Sequence, residues 1–236
     1  MALPTVNSPT YELKLHSVDQ KIKYRPFLVK EEKILLTALE GGETADIVRA
    51  TKEIIKNCCL TDNIEIEKLP AFDIELFFLN LRARSVGENV EVNLSCQEKS
   101  CEGETPVVVN LDGVGLDTGK DHKDIVRLTD KIKVKLKYPN IDRMTRPPDE
   151  SQMDSIFEIT KACIDTIQDG DEMHDIKDYT ETEIEDFIMS LNQQQFGSIV
   201  AFFNTMPKLR HKVGFTCQKC NKKQEVVLEW LQSFFG

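Results

Sequence analysis

The sequence predicts an α+β fold: an N-terminal strand-helix unit, a β module written in two separated pieces, and an acidic helical insertion between those pieces. Three observations predict it. Apolar residues recur at helical spacing in three runs before Gly87, they alternate with polar residues in short stretches after it, and a cysteine-bearing hairpin pattern occurs twice, with 115 residues between its two copies.

In order along the chain, YELKLHSVDQKIKYRPFLV alternates as two short strands, Tyr11–Leu15 and Ile22–Val29. A helix follows from near Glu31, with Ile34, Leu35, Ala38 and Leu39 on one stripe, and Gly41 and Gly42 stop it. A second helix fits Thr44–Cys59, with Thr44 as N-cap and Ile47, Ala50, Ile54 and Cys58 on one face. A third runs from Phe72 to Arg84 and carries Phe72, Leu76, Leu79 and Ala83. These elements form one unit, residues 1–88.

After Gly87 the period becomes two. Val90, Val92 and Leu94, then Val107, Val109 and Leu111, make a hairpin around Cys96 and Cys101, and KIKVKLKY at 131–138 reads as a further half-buried strand of the same 89–147 segment. Between them GVGLDTGKD at 113–121 is a loop, because a phosphate-binding loop needs glycine where Val114 stands and Ser or Thr where Asp121 stands. Pro147 and Pro148 open the insertion, 148–206, in which Ile156, Ile159, Cys163 and Ile167 share one helical stripe. Thr180 with Glu183 makes a capping box, and a last helix spans Asn192–Asn204. Residues 207–236 return to the β module and end in an aromatic tail.

Charge is unevenly placed. The chain carries −10 overall, but Asp149–Asp186 holds 14 Asp/Glu against Lys161 and Lys177 alone, so the remainder is near +2. From Thr205 to Gln224 stand Lys208, Arg210, Lys212, Lys219, Lys222 and Lys223 with no acid. That run is either a solvated rim or a surface that attracts polyphosphate. Hydrophobic content of 40% and charged content of 30% are ordinary for a soluble domain. The first residues, MALPTVNSPTYELKL, lack a basic start and an apolar core, and no stretch nears 18 apolar residues, so neither a signal peptide nor a membrane span is expected. Seven cysteines in such a chain suggest reduced thiols or metal ligands in a cytoplasm.

The two cysteine regions explain each other. VNLSCQEKSC followed by VVVNL, and VGFTCQKC followed by VVL, both read as strand, cysteine, tight turn, cysteine and return strand. Two such knuckles facing one another supply four thiolates, Cys96, Cys101, Cys217 and Cys220, to a structural Zn2+. This makes the β segments a split four-cysteine zinc-ribbon-like β module. Asn221 and Gly103 offer the left-handed turn positions. Closing the long loop costs on the order of 4 kcal/mol, against roughly 10–16 kcal/mol of apparent zinc binding. Free thiols, or a redox pair at Cys217 and Cys220, are the alternatives. Cys58, Cys59 and Cys163 read as core thiols.

A catalytic constellation is not visible. HExxH, GxSxG and Walker A sequences do not occur, and His16, His122, His174 and His211 are far apart. A four-thiolate zinc has no open position, so the expectation is no enzyme. Trp230, Leu231, Phe234 and Phe235 fall at helical spacing, either covering the zinc module's core or presenting an anchor to a partner.

KYRPFLVKEEKILLTALEGG (23–42), FDIELFFLNLRARSVGE (72–88), the two knuckles and the closing LEWLQSFF resemble the baseplate hub proteins of T-even-type contractile-tailed bacteriophages, in order from about residue 11 to the end. CQEKSC departs from the family's CPxCG by a longer turn. The resemblance implies a viral protein made in the host bacterial cytoplasm and used to build the tail baseplate hub, as a subunit or as an assembly factor. It implies other hub proteins and the tape-measure protein as partners, no membrane and no catalysis. The competing reading is a zinc-ribbon protein that binds nucleic acid through its six cations. Overall acidity opposes that, as does the presence of Phe215 as the one aromatic among those cations.

Overall fold

The stretch expected to bury one stripe of a helix is buried on nearly every side. The structure is a computed structural model that describes residues 6–144 and 152–229. In it helix α3 (Ala71–Ser85) buries Phe72, Ile74, Phe77, Phe78, Leu79, Leu81 and Ala83. Each large side chain so buried contributes about 1.5–3 kcal/mol. The chain divides into two compact units, Met1–Asp117 with Lys208–Gly236, and Thr118–Pro207.

In the first unit β1 (Tyr11–Lys14) and β2 (Lys21–Tyr24) form an antiparallel hairpin whose Ile22 and Tyr24 are buried. The second strand stops short of the expected Val29 because Pro26 has no N–H to continue a ladder. Helix α1 (Val29–Gly41) starts two residues early and ends at Gly42, whose φ of 71° is the left-handed C-cap expected there. Helix α2 (Thr44–Cys58) has Glu43 as its N-cap, so Thr44 is its first residue and no side chain caps it. The first turn of α3 carries the buried carboxylate of Asp73, which accepts hydrogen bonds from the backbone N–H groups of His16 (2.9 Å) and Ser17 (2.8 Å). Negative charge near a helix N-terminus is favoured, and here it also ties down the β1–β2 turn.

The rest of this unit is two hairpins. β3 (Asn89–Ser95) pairs with β4 (Glu104–Asn110), burying Val90, Val92, Leu94 and Val109, while β10 (Lys208–Thr216) pairs with β11 (Lys223–Glu229). The expected loop at 113–121 contains a short strand, β5 (Gly115–Asp117), on the free edge of β10. Three residues with one apolar side chain, Leu116, are too few for alternation to show. In that pairing Asp117 faces Lys208, so the chain leaves this unit and re-enters it at register partners.

The second unit is a four-stranded antiparallel sheet, β6 (Ile125–Arg127), β7 (Ile132–Leu136), β8 (Ile164–Asp169) and β9 (Glu172–Asp175), with helices α4 (Ile141–Met144), α5 (Gln152–Cys163), α6 (Glu181–Met189) and α7 (Gln193–Thr205). Its core is Val134, Leu136, Ile164, Ile188, Ile199 and Phe202. KIKVKLKY is therefore an inner strand here and does not join the cysteine hairpins. Ile167, expected on the stripe of α5, lies in β8 instead. The hairpin signal is Gly170-Asp171, with Gly170 at φ 59° in the first position of a two-residue turn between the paired Asp169 and Glu172. The chance alignment of Ile156, Ile159, Cys163 and Ile167 at helical spacing masked it. The capping box at Thr180 and Glu183 is formed, and Asn192 caps α7. Among the described residues no helix is long and apolar enough to cross a membrane.

One buried charge organises the start of the first unit. Glu31 is fully buried; it accepts from Arg25 Nη2 at 2.9 Å and from the Leu28 N–H at 2.9 Å. Burial pushes its carboxyl up, but the guanidinium and the N–H outweigh burial and hold it below the ordinary 4.5. A depressed carboxylate pKa means that this contribution is complete above pH 4.5 and is lost as the pH falls through the folded value. Glu31→Gln should cost about 3 kcal/mol at pH 7, by leaving Arg25 without its counter-charge, and the gap to wild type should narrow toward pH 3. Urea denaturation at both pH values measures it.

Candidate metal centre

Two hairpin tips build the site, both within the first unit. At the first, Cys96 directly follows β3 and its N–H donates to the Gly103 carbonyl (2.8 Å), while the Cys101 N–H closes the turn onto the Glu98 carbonyl (2.8 Å). At the second, the Cys217 N–H donates to the Lys222 carbonyl (3.0 Å) and the Asn221 N–H to the Cys217 carbonyl (2.9 Å). Asn221 has φ 56°, the left-handed conformation expected of it. Gly103 is needed for a different reason than the expected one. Its backbone is not left-handed, but a Cβ there would stand 2.8 Å from Lys219 Cβ, 3.0 Å from Cys217 Sγ and 3.3 Å from Cys101 Sγ. Only a residue without a side chain lets the tips approach this closely.

The four predicted cysteines come together. Their Sγ atoms all lie within 4.8 Å of one another, with Cys96 to Cys220 at 3.7 Å and Cys101 to Cys217 at 3.8 Å. A tetrahedron with metal–sulfur bonds of about 2.3 Å has sulfur–sulfur edges of about 3.8 Å, whereas a disulfide is about 2.05 Å long. The donor set thus fits a thiophilic tetrahedral metal. Cys217 and Cys220 sit on a turn between strands β10 and β11, not at the helix N-terminus where a redox pair gains its reactivity.

The thiols are not equivalent. The backbone N–H groups of Cys220 and Lys219 favour the Cys217 thiolate against the cost of burial and hold its pKa down, while burial and the neighbouring sulfurs push Cys101 up. Four thiolates without a metal repel one another, so a bound cation displaces protons and its affinity falls with pH.

Around the sulfurs is a shell that the sequence did not announce. Gln224 Nε2 donates to Cys96 Sγ at 2.9 Å, while its Oε1 accepts from the Gln97 N–H at 2.8 Å. The buried Thr105 hydroxyl accepts from the Gln218 N–H at 3.1 Å, and Lys222 pairs with Glu98 at 2.8 Å. Each of these joins one hairpin to the other. A glutamine two residues into a return strand carries no local signal, which is why it was missed.

The two hairpins with their cysteines lie inside one match to a protein family. The family described as T4 bacteriophage base plate protein matches residues 8–236. The chain belongs to this family. No curated protein and no solved structure matches it. Burial disfavours the reactive thiolate of the remaining cysteines of this baseplate protein: it pushes Cys58 up to about 11 and Cys163 up to about 12, and it raises Cys59. Trp230, Leu231, Phe234 and Phe235 lie outside the described residues.

Gln224→Ala should weaken metal binding about 10–100-fold, through loss of the donor to Cys96. Gly103→Ala should destabilise the metal-bound protein by about 1–3 kcal/mol, because Lys219 and the sulfurs must give way. Competition with a chromophoric chelator reads the first, and denaturant titration the second.

Proposed function

We propose that this baseplate protein is a non-enzymatic component or assembly factor of the baseplate hub, working through protein–protein contacts, with Zn2+ held by Cys96, Cys101, Cys217 and Cys220. The family match over residues 8–236 carries the reading, since it spans both cysteine hairpins and the unit between them. Zinc in this set would have every position filled by sulfur, so it would act as a staple and leave no place for water or substrate. The hairpins then form a zinc-ribbon-like module. The partners are other hub proteins and the tape-measure protein, met in the host cytoplasm during assembly and in the tail baseplate. The aromatic tail, Trp230, Leu231, Phe234 and Phe235, has the residue types of a partner anchor.

The nucleic-acid reading is weakened by ion pairing among the six cations. Arg210 meets Glu229 (2.8 Å) and Asp117 (3.6 Å), and Lys222 meets Glu98. Those acids reduce the positive field that phosphate recognition needs.

Two measurements test the proposal. Metal analysis with thiol titration should find one zinc per chain, and Cys217→Ser should lose it and melt at lower temperature; a metal-free protein with all four thiols reactive would sink the zinc staple. Quantitative mass spectrometry should find the protein in hub-assembly intermediates. A fixed copy number in mature particles identifies a subunit, presence in intermediates alone identifies an assembly factor, and absence from both overturns the hub role.

A further inference from the structure

The second unit contains an opening that its own core does not fill. Between α6 and the end of the sheet lies a cavity of about 460 Å3, within the roughly 300–1,000 Å3 of ligand pockets. Its apolar wall is Ile132, Ile167, Ile176, Ile184 and Phe187, all half-buried. Four of them, Ile167, Ile176, Ile184 and Phe187, pack against the core on one side and face the cavity on the other. The hydrophobic surface is thus continuous from the core into the opening.

The polar lining has one sign. Asp169, Glu183 and Asp186 line the cavity with His174 and Tyr179, and among the described residues no lysine or arginine does. Glu183 is already committed to capping α6, where its carboxylate accepts from the Thr180 N–H at 2.8 Å. Asp169 and Asp186 are exposed, and neither makes an ion pair among the described residues. The surrounding chain enforces the sign: from Ile164 to Met189 there are ten Asp/Glu and one lysine, Lys177, whose ammonium is 3.7 Å from Asp175. Within β7, Lys133 and Lys135 alternate with Ile132, Val134 and Leu136, so they point to the opposite face of the sheet from the isoleucine that lines the cavity. An apolar floor with an anionic rim disfavours an acidic or neutral polar occupant. It matches a segment that places a bulky apolar side chain in the cavity and cations on both sides of it.

We propose that this groove is a docking site for a cationic, amphipathic segment of a partner protein, with an aliphatic or aromatic side chain seated against Ile167, Ile176, Ile184 and Phe187 and Lys or Arg facing Asp169 and Asp186. The inference rests on the reading that the protein works through protein contacts, and it adds the chemistry of one of them. A hub assembly defect and a groove defect are separable, because the groove is read on the purified full chain with no phage component present.

The probe is a 14-residue amphipathic peptide of lysine and leucine, added to full-length protein with isoleucine methyl groups labelled for NMR. It should shift Ile132, Ile167, Ile176 and Ile184 while leaving Ile34 of the other unit unmoved. Affinity should fall about tenfold when salt is raised from about 50 to about 300 mM, as expected for exposed charges. The double variant Asp169→Lys/Asp186→Lys alters only exposed side chains; it should retain the wild-type spectrum and lose about tenfold in affinity. Peptides with glutamate for lysine or serine for leucine should not bind. The proposal is overturned if the lysine–leucine peptide leaves the four methyl groups unmoved at millimolar concentration, if the glutamate peptide shifts them equally, or if the double variant binds as tightly as wild type. Indole that saturates the groove where the peptide does not would identify a small-molecule cavity and overturn it as well.

Discussion

Four sulfur atoms from two hairpin tips share a volume in which each lies within 4.8 Å of the others, and the first unit is arranged around that requirement. Unscreened, four ionised thiols at such spacing repel, and four protonated ones form only weak contacts. The proximity is set by the protein: Gly103 removes the side chain that would keep the tips apart, and Gln224 and Thr105 each bond across from one hairpin to the other. A site held open by its backbone and its second layer of hydrogen bonds presents ligands already in place, which lowers the ordering cost of taking up a metal.

The long separation in sequence between the two cysteine pairs is less costly than a flexible loop of that length would be. Asp117 and Lys208 are register partners in the β5–β10 ladder, so the intervening chain starts and ends at adjacent backbone positions. That chain has its own sheet and its own apolar core, and its first and last turns are joined by the Gly119 N–H on the Thr205 carbonyl at 2.9 Å. His122 reinforces this closure by bonding Thr205 (3.0 Å) and Tyr138 (2.9 Å), stacking on the Tyr138 ring and lying tilted against Phe202. An inserted unit that closes on itself adds little to the entropy of joining its ends.

The two units also differ in electrostatic character. In the first, acids and bases neutralise one another around the cysteine hairpins, through Arg210 with Glu229 and Lys222 with Glu98. In the second, carboxylates crowd one stretch of chain and border an apolar opening, with the balancing lysines on the other face of β7. Unpaired charge of one sign is tolerated where it is solvated, and it reduces the compactness of a domain only modestly. In the proposed docking, its placement beside exposed apolar surface would make it selective, by favouring cationic partners and orienting them.

The sequence by itself determined the features that depend on near neighbours. Helix α1 with its glycine stop, the capping box at Thr180, the helix beginning at Asn192, the first cysteine hairpin and the four-cysteine set all follow from spacing and from residue types whose local chemistry is strong. Only the tertiary structure decided which strands pair with which. Alternation marks KIKVKLKY as half-buried without naming its partner, so its place in the sheet with β8 depended on a hairpin at Gly170-Asp171 that helical spacing in the preceding residues concealed. The same holds at the sulfurs. Spacing selects the four cysteines, but Gln224, Thr105 and the need for Gly103 arise from contacts between segments more than 100 residues apart, where sequence neighbours carry no information about one another.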